Sequence, residues 1–243
     1  MKCPVCTCDT VPAGRANLNK TCEDHKFGSM IFPRAPQDVE YTRCLGCGFV
    51  FSPELCAHSQ DWYLEHVYND EYKKADPDYV EARPLANARW LANYFDRSKE
   101  QIRHLDYGGG NGKLADMMRR LGFNSESWDP FVDAPLPADR KFNLITAFEV
   151  VEHAPDPKAL RAELLRHMDD EGALIFSTLT SDHVGNHWMP RDWWYASPRN
   201  GHVCLYTKAA LRKLFFPLRV FNMSEGVHMA VGSLPSWLEG SLK

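Results

Sequence analysis

The sequence predicts an α/β fold: a mostly parallel sheet covered by helices, closed by an antiparallel hairpin and preceded by a small cysteine-paired module. Three observations carry that prediction. From about Ile102 onward, short apolar runs alternate with segments of helical periodicity, the pattern of parallel strands joined by crossover helices. A glycine cluster at 108–112 falls between the first such run and the first such helix. Seven of the eight cysteines lie in the first quarter of the chain, four of them as Cys3-x-x-Cys6 and Cys44-x-x-Cys47.

The elements follow in order. Residues 1–58 carry Pro4, Pro12, Pro33, Pro36 and Pro53 and no sustained helical periodicity. They predict a loop-rich module too small to be held by burial alone. Residues 59–98 predict an aromatic, helical lid or linker, with Trp62, Tyr63, Tyr68, Tyr72 and Tyr79. Pro84 suits the first turn of its helix, which carries Leu85, Ala88, Ala92 and Phe95 at helical spacing. Residues 99–243 form the main domain. A strand at 102–107 precedes a helix whose apolar face is Leu114, Met117, Met118 and Leu121, stopped by Gly122. Strands follow at 125–129 and Phe142–Phe148. A helix bearing Leu160, Leu164 and Met168 leads to a buried strand at 173–178. Thr207 is the expected N-cap of a helix with Leu211, Leu214 and Phe215. Strands at 219–223 and Val227–Val231 close the sheet as a hairpin around Ser224-Glu225-Gly226.

Composition excludes several classes. The chain has 243 residues, 44% hydrophobic and 25% charged, as expected of a globular protein. With 28 Lys and Arg against 32 Asp and Glu the net charge is −4, the wrong sign for a phosphate-backbone grip. No apolar run approaches the roughly 18 residues of a membrane span. The opening Met1-Lys2-Cys3-Pro4 lacks the apolar core of a secretory signal, so a cytoplasmic location is expected. No heptad repeat or exposed apolar stripe indicates an oligomeric state.

Spacing narrows the ligand of the glycine cluster, Leu105-Asp106-Tyr107-Gly108-Gly109-Gly110-Asn111-Gly112. A dinucleotide fingerprint counted from Gly108 would end on Lys113 instead of a small residue. A phosphate loop fails at Tyr107 and Leu114. The pattern that fits is D-x-G-x-G-x-G, with Asp106 at the strand end. That carboxylate would repel a pyrophosphate and pair with a cationic ligand. Asp129, closing the next strand, is placed to accept hydrogen bonds from ribose hydroxyls. A ligand with a ribose, a cationic end and no phosphate is S-adenosylmethionine.

These residues, with Phe142-Asn143-Leu144-Ile145-Thr146-Ala147-Phe148-Glu149-Val150-Val151-Glu152-His153, resemble the class I S-adenosylmethionine-dependent methyltransferases over roughly residues 100–243. The resemblance implies a Rossmann-like sheet. It implies that Asp106, Gly108, Gly109, Gly110 and Gly112 face the aminocarboxypropyl end of the cofactor. It places Asp129 on the ribose, and Phe148 and Glu149 beside the sulfonium. The chain departs from the family at Asn143, where an aspartate is usual, and between Asp129 and Phe142, where a third strand is expected but poorly marked. Asp139 is the candidate adenine contact.

In a chain without an export signal, paired C-x-x-C spacings read as metal ligands before disulfides. Cys3, Cys6, Cys44 and Cys47, with 37 residues between the pairs, suit a structural, tetrahedral Zn²⁺ in a zinc-ribbon-like module. Cys8 and Cys22 are alternative ligands, and free or redox-active thiols the other reading. The segment from Tyr41 to Pro53 resembles the amino-terminal zinc module of sugar C-methyltransferases and related small-molecule methyltransferases. That resemblance implies a tyrosine-bearing segment closing over cofactor and substrate, here Tyr68 and Tyr72, with Tyr72 assigned to the cofactor. Ordinary packing is the alternative for both.

If the methyl acceptor carries a proton, a base is needed, and histidine is the natural type near neutral pH. His202, just before the helix capped by Thr207, matches the base of the resembling C-methyltransferases, where glutamate usually precedes it; here Gly201 does. His153 is the second candidate. His187 and the tryptophan-rich stretch 188–195 suit an acceptor pocket. The expected function is methyl transfer to a small molecule, such as a nucleotide-linked sugar or biosynthetic intermediate. The alternatives are an RNA methyltransferase that grips nucleic acid with the zinc module, and a non-enzymatic cofactor-binding regulator.

Overall fold

The computed structural model describes residues 1–185 and 188–239. They form two compact units, each woven from three stretches of chain: 1–77, 151–158 and 179–214 in the first, and 78–150, 159–178 and 215 onward in the second. In chain order the elements begin with β1 (Thr10–Asn17), α1 (Asp24–Phe27), β2 (Asp38–Cys44), β3 (Val50–Phe51), α2 (Pro53–Cys56), α3 (Gln60–His66), α4 (Tyr72–Ala75) and α5 (Ala82–Phe95). They continue with β4 (Arg103–Tyr107), α6 (Lys113–Arg120), β5 (Asn124–Trp128), β6 (Phe142–Phe148), α7 (Pro157–His167) and β7 (Met168–Ser177). The chain then forms β8 (Cys204–Leu205), α8 (Lys208–Phe215), β9 (Arg219–Ser224), β10 (Val227–Val231) and α9 (Ser236–Glu239). No described helix is long and apolar enough to cross a membrane.

Local chemistry explains where several elements start. Ser52 caps α2 by accepting from the Leu55 N–H at 3.2 Å, with Pro53 in the first turn. Ser59 caps α3 through Trp62 N–H at 3.3 Å. Thr207 caps α8 as expected, its hydroxyl accepting from Ala210 N–H at 3.0 Å.

The first unit is built on a four-stranded sheet of order β1-β2-β3-β8. All of its pairings are antiparallel. The long β1–β2 pair was not legible as strands. β1 reads Thr-Val-Pro-Ala-Gly-Arg-Ala-Asn, and its ladder slips between Pro12 and Gly14, where proline has no N–H to donate. The sheet is not completed by the amino-terminal residues: its last strand is β8, where Val50 faces Leu205 and Phe51 faces Cys204.

The second unit holds a six-stranded sheet of order β5-β4-β6-β7-β10-β9. The first four strands are parallel, and β10 joins β7 and β9 antiparallel, the α/β architecture the sequence predicts. Its core packs Ala88, Leu91 and Phe95 of α5 and Leu114 and Met118 of α6 with Leu144, Ala173, Ile175, Met229, Val231 and Trp237. Each large apolar side chain buried this way contributes roughly 1.5–3 kcal/mol.

Two expectations are corrected. Met168 opens β7 instead of ending the preceding helix, so the strand begins well before 173. No strand lies between Asp129 and Phe142 among the described residues. Pro130, Pro135 and Pro137 in that stretch cannot donate to a ladder.

Candidate functional site

The glycine loop follows β4, at the carboxyl end of a parallel strand, where open α/β sheets bind their ligands. It is tied to β5 by Gly108 and Gly109 N–H groups donating to the Trp128 carbonyl at 2.8 and 3.2 Å, and Gly112 precedes the first turn of α6. At Gly109 an added Cβ would stand 2.2 Å from Ser127 Oγ and 2.6 Å from Asp106 Oδ2, so only glycine lets the loop backbone close on these groups. Gly110, at φ +55°, turns its N–H to Asp129 Oδ2 at 2.9 Å.

Asp106 and Asp129 are both buried. Asp106 Oδ1 accepts from the Thr146 hydroxyl at 3.0 Å. Burial pushes its carboxyl up to about 7, with the Thr146 hydrogen bond opposing and the charge of Asp129 adding. Asp129 Oδ1 accepts from Phe131 N–H at 2.9 Å, and its own N–H donates to Asp133 Oδ2 at 2.8 Å. The side chain is thus held, while each carboxylate oxygen keeps further accepting capacity. At the end of β6, Phe148 is half-buried and Glu149 takes φ +53°, an uncommon conformation for a non-glycine residue. Glu149 is held there by Ser177: its N–H donates to Ser177 Oγ, and that hydroxyl donates back to Glu149 Oε1, both at 2.7 Å. Asp139 is exposed.

In the first unit, Glu152, His153 and His202 bring their polar atoms within 4.8 Å of one another. His202 is buried, with Nδ1 2.6 Å from the Tyr195 carbonyl. A carbonyl only accepts, so Nδ1 carries the hydrogen of that bond. Glu152 is fully buried and accepts from the Tyr195 hydroxyl. His153 Nδ1 lies 3.1 Å from the Tyr68 hydroxyl, and its ring stands 4.9 Å from that of His202. Gly201 explains why no glutamate precedes His202. At its φ of +88° a Cβ would meet Tyr68 Oη at 2.9 Å and His153 Nδ1 at 3.0 Å. The Tyr72 hydroxyl donates to the Asn200 carbonyl at 3.3 Å.

The tryptophan-rich stretch is a correction. Trp193, 2% exposed, and Trp188 pack on each other with centroids 5.0 Å apart, so neither offers a free face. Trp194, 37% exposed, stacks on His25. His187 lies outside the described residues.

The four paired cysteines also meet. Cys3 Sγ is 3.9 Å from Cys47 Sγ, and Cys6 Sγ is 3.3 Å from Cys44 Sγ, with all four within 4.8 Å. Ligands about 2.3 Å from a tetrahedral zinc stand ~3.8 Å apart, so the set fits that ion. Gly46 and Cys47 N–H groups point at Cys44 Sγ, at 3.3 and 3.4 Å, as in a turn folded around a thiolate. Cys8 is exposed beside Gly46. Cys22 sits 3.8 Å from His202 Nδ1, away from the set. Sequence reasoning missed Thr146 and Ser177; their signal was the register of β6 against its neighbours, which spacing along one chain does not carry.

A family model described as a methyltransferase domain matches residues 79–216. Among solved structures the chain is similar to CalO1, a methyltransferase in calicheamicin biosynthesis, at 15% identity over 68% of this chain and 60% of that one, TM-score 0.42. It is similar to an O-methyltransferase family protein from Burkholderia thailandensis at 15% identity, over 70% and 64% of the two chains, TM-score 0.44. The plantazolicin methyltransferase BpumL gives 12% identity over 74% and 96%, TM-score 0.47. The chain thus spans less than two thirds of the length of the first two. No curated protein matches it.

Proposed function

Since the chain belongs to the methyltransferase-domain family, we propose that it is an enzyme of S-adenosylmethionine-dependent methyl transfer and that its acceptor is a small molecule, such as a nucleotide-linked sugar or another biosynthetic intermediate. The observation that carries the cofactor side is the cradle itself: a buried carboxylate, Asp106, under a loop that a Cβ at Gly109 would fill. Bound there, S-adenosylmethionine would supply an electrophilic methyl group. Asp106 pairs with its cationic amino group, the loop glycines admit its chain, Asp129 accepts from the ribose, and Phe148 and Glu149 border the sulfonium. Tyr72 is assigned to the cofactor on the resemblance alone.

His202 acts as general base. Its Nδ1–H is held by the Tyr195 carbonyl, which orients the ring, and a general base typically contributes ~10²–10⁴-fold. His153, adjoining His202 and the Tyr68 hydroxyl, is the second candidate. Cys3, Cys6, Cys44 and Cys47 hold a structural zinc that stabilises the amino-terminal module. The net charge of −4 favours a small acceptor over RNA.

The test supplies purified protein, methyl-labelled S-adenosylmethionine and extract of the source cells. Label in the small-molecule fraction is the expected result. Label in RNA would overturn the acceptor class, and label nowhere despite cofactor binding would point to a regulator. His202→Ala should retain S-adenosylhomocysteine binding and lose ~10²–10⁴-fold in turnover; unaltered turnover removes it as the base.

A further inference from the structure

Asp106 does not sit alone in the sheet. Side chains two residues apart share a face of a strand, so His104 and Asp106 point the same way from β4. Ser125 of β5 faces His104, and Thr146 of β6 faces Asp106. His104 is completely buried and bridges the two neighbouring strands: Nδ1 is 2.7 Å from Ser125 Oγ, and Nε2 is 2.9 Å from Thr146 Oγ1. Thr146 then reaches Asp106 Oδ1 at 3.0 Å.

Hydrogen bookkeeping gives this chain a direction. Burial pushes the His104 ring down to about 3, so at neutral pH it is uncharged and carries one N–H. An ionised Asp106 only accepts, so Thr146 spends its single hydroxyl hydrogen on the carboxylate. The Thr146 oxygen must then accept from His104 Nε2–H, and the bare Nδ1 must accept from Ser125. The opposite polarity requires Asp106 to carry a proton and donate it to Thr146.

We propose that Ser125, His104 and Thr146 form a one-way hydrogen-bond relay that holds Asp106 as an acceptor for a cationic amino group, which makes His104 and Thr146 positioning residues for the amino-acid end of S-adenosylmethionine. This inference rests on the cofactor reading above. The groups facing Asp106 are Thr146 from β6, His104 from its own strand, Ser127 from β5 beside Gly109, and Asp129, whose charge disfavours ionisation. With the carboxyl pushed up to about 7, the ligand-free site sits near the point where the two polarities exchange. An arriving ammonium selects the ionised one.

The experiment is calorimetric titration with two probes: S-adenosylhomocysteine, which carries the amino-acid end, and 5′-methylthioadenosine, which lacks it. Thr146→Val, close in shape, should weaken S-adenosylhomocysteine by about tenfold or more, the usual scale for a buried hydrogen bond to a charged group. It should leave 5′-methylthioadenosine within about twofold. The pH at which S-adenosylhomocysteine affinity reaches its plateau should also rise, because the hydroxyl no longer favours the ionised carboxyl. His104→Leu should behave like Thr146→Val, and His104→Gln, which keeps one donor and one acceptor, should recover most of the affinity. Wild type binding neither probe would overturn the cofactor reading and this inference together. Wild type binding both, with Thr146→Val weakening both equally or neither, would overturn the relay alone.

Discussion

Asp106→Asn should change how stability depends on pH, and the amount follows from two buried groups. The Asp106 carboxyl is raised from an ordinary 3.8 to about 7 in the fold. Between those values the unfolded chain is ionised while the folded one holds a proton. The stabilisation is fully present below 3.8 and is lost as pH rises through about 7. At about 1.4 kcal/mol per pH unit the whole effect is about 4 kcal/mol. His104 works in the opposite direction. Its ring is lowered from 6.5 to about 3, so its contribution is present above 6.5 and is lost on acidification toward about 3. In the wild type the two slopes offset each other from about pH 4 to about 6.5. Asp106→Asn removes one and leaves His104 unopposed. Urea unfolding of ligand-free wild type and variant, at about pH 4.5 and about pH 6.5, reads the difference directly. Any pH-independent cost of the substitution cancels in that comparison. The variant should lose about 3 kcal/mol relative to wild type on going to the lower pH. Stability profiles that run parallel within about 0.5 kcal/mol would refute the assignment of a raised, titrating carboxyl to Asp106.

Other consequences are as direct. Gly109→Ala places a Cβ against Ser127 Oγ and Asp106 Oδ2, and should weaken S-adenosylhomocysteine binding by at least about tenfold in calorimetry; undiminished affinity would show that the loop is not the cofactor's cradle. Purified protein should carry about one zinc per chain by atomic emission, and Cys44→Ser should lose both the metal and folding stability. Protein expressed in zinc-supplemented medium yet free of zinc would remove the metal from the account.

Much of the second unit was legible because its signals are local. Phe142–Phe148 is a continuous apolar run and forms β6 with those limits. In the first unit, Thr207 likewise has the side chain a helix start needs, and it caps α8. The glycine spacing and the acidic residue before it, Asp106, mark a ligand loop without knowledge of any other strand. The cysteine pairs are legible for the same reason: two short knuckles name their own members, and the structure brings those four sulfurs together.

What the chain could not disclose one segment at a time concerns partners far apart in sequence. Cys204–Leu205 is too short to declare itself a strand, yet it completes the sheet begun by β1, β2 and β3. Thr146 and Ser125 look like ordinary strand residues until pairing sets them beside Asp106 and His104. Trp188 and Trp193 resemble a stacking platform in sequence, and packing turns them inward. The sequence by itself determined the alternation of strand and helix, the cradle motif and the candidate zinc ligands, because backbone periodicity, turn chemistry and knuckle spacing act over a few residues. Tertiary structure alone decided which strands are neighbours, which polar side chains share a buried face, and the carbonyl that His202 Nδ1 faces. Those depend on register and burial, which arise only when distant segments compete for the same interior.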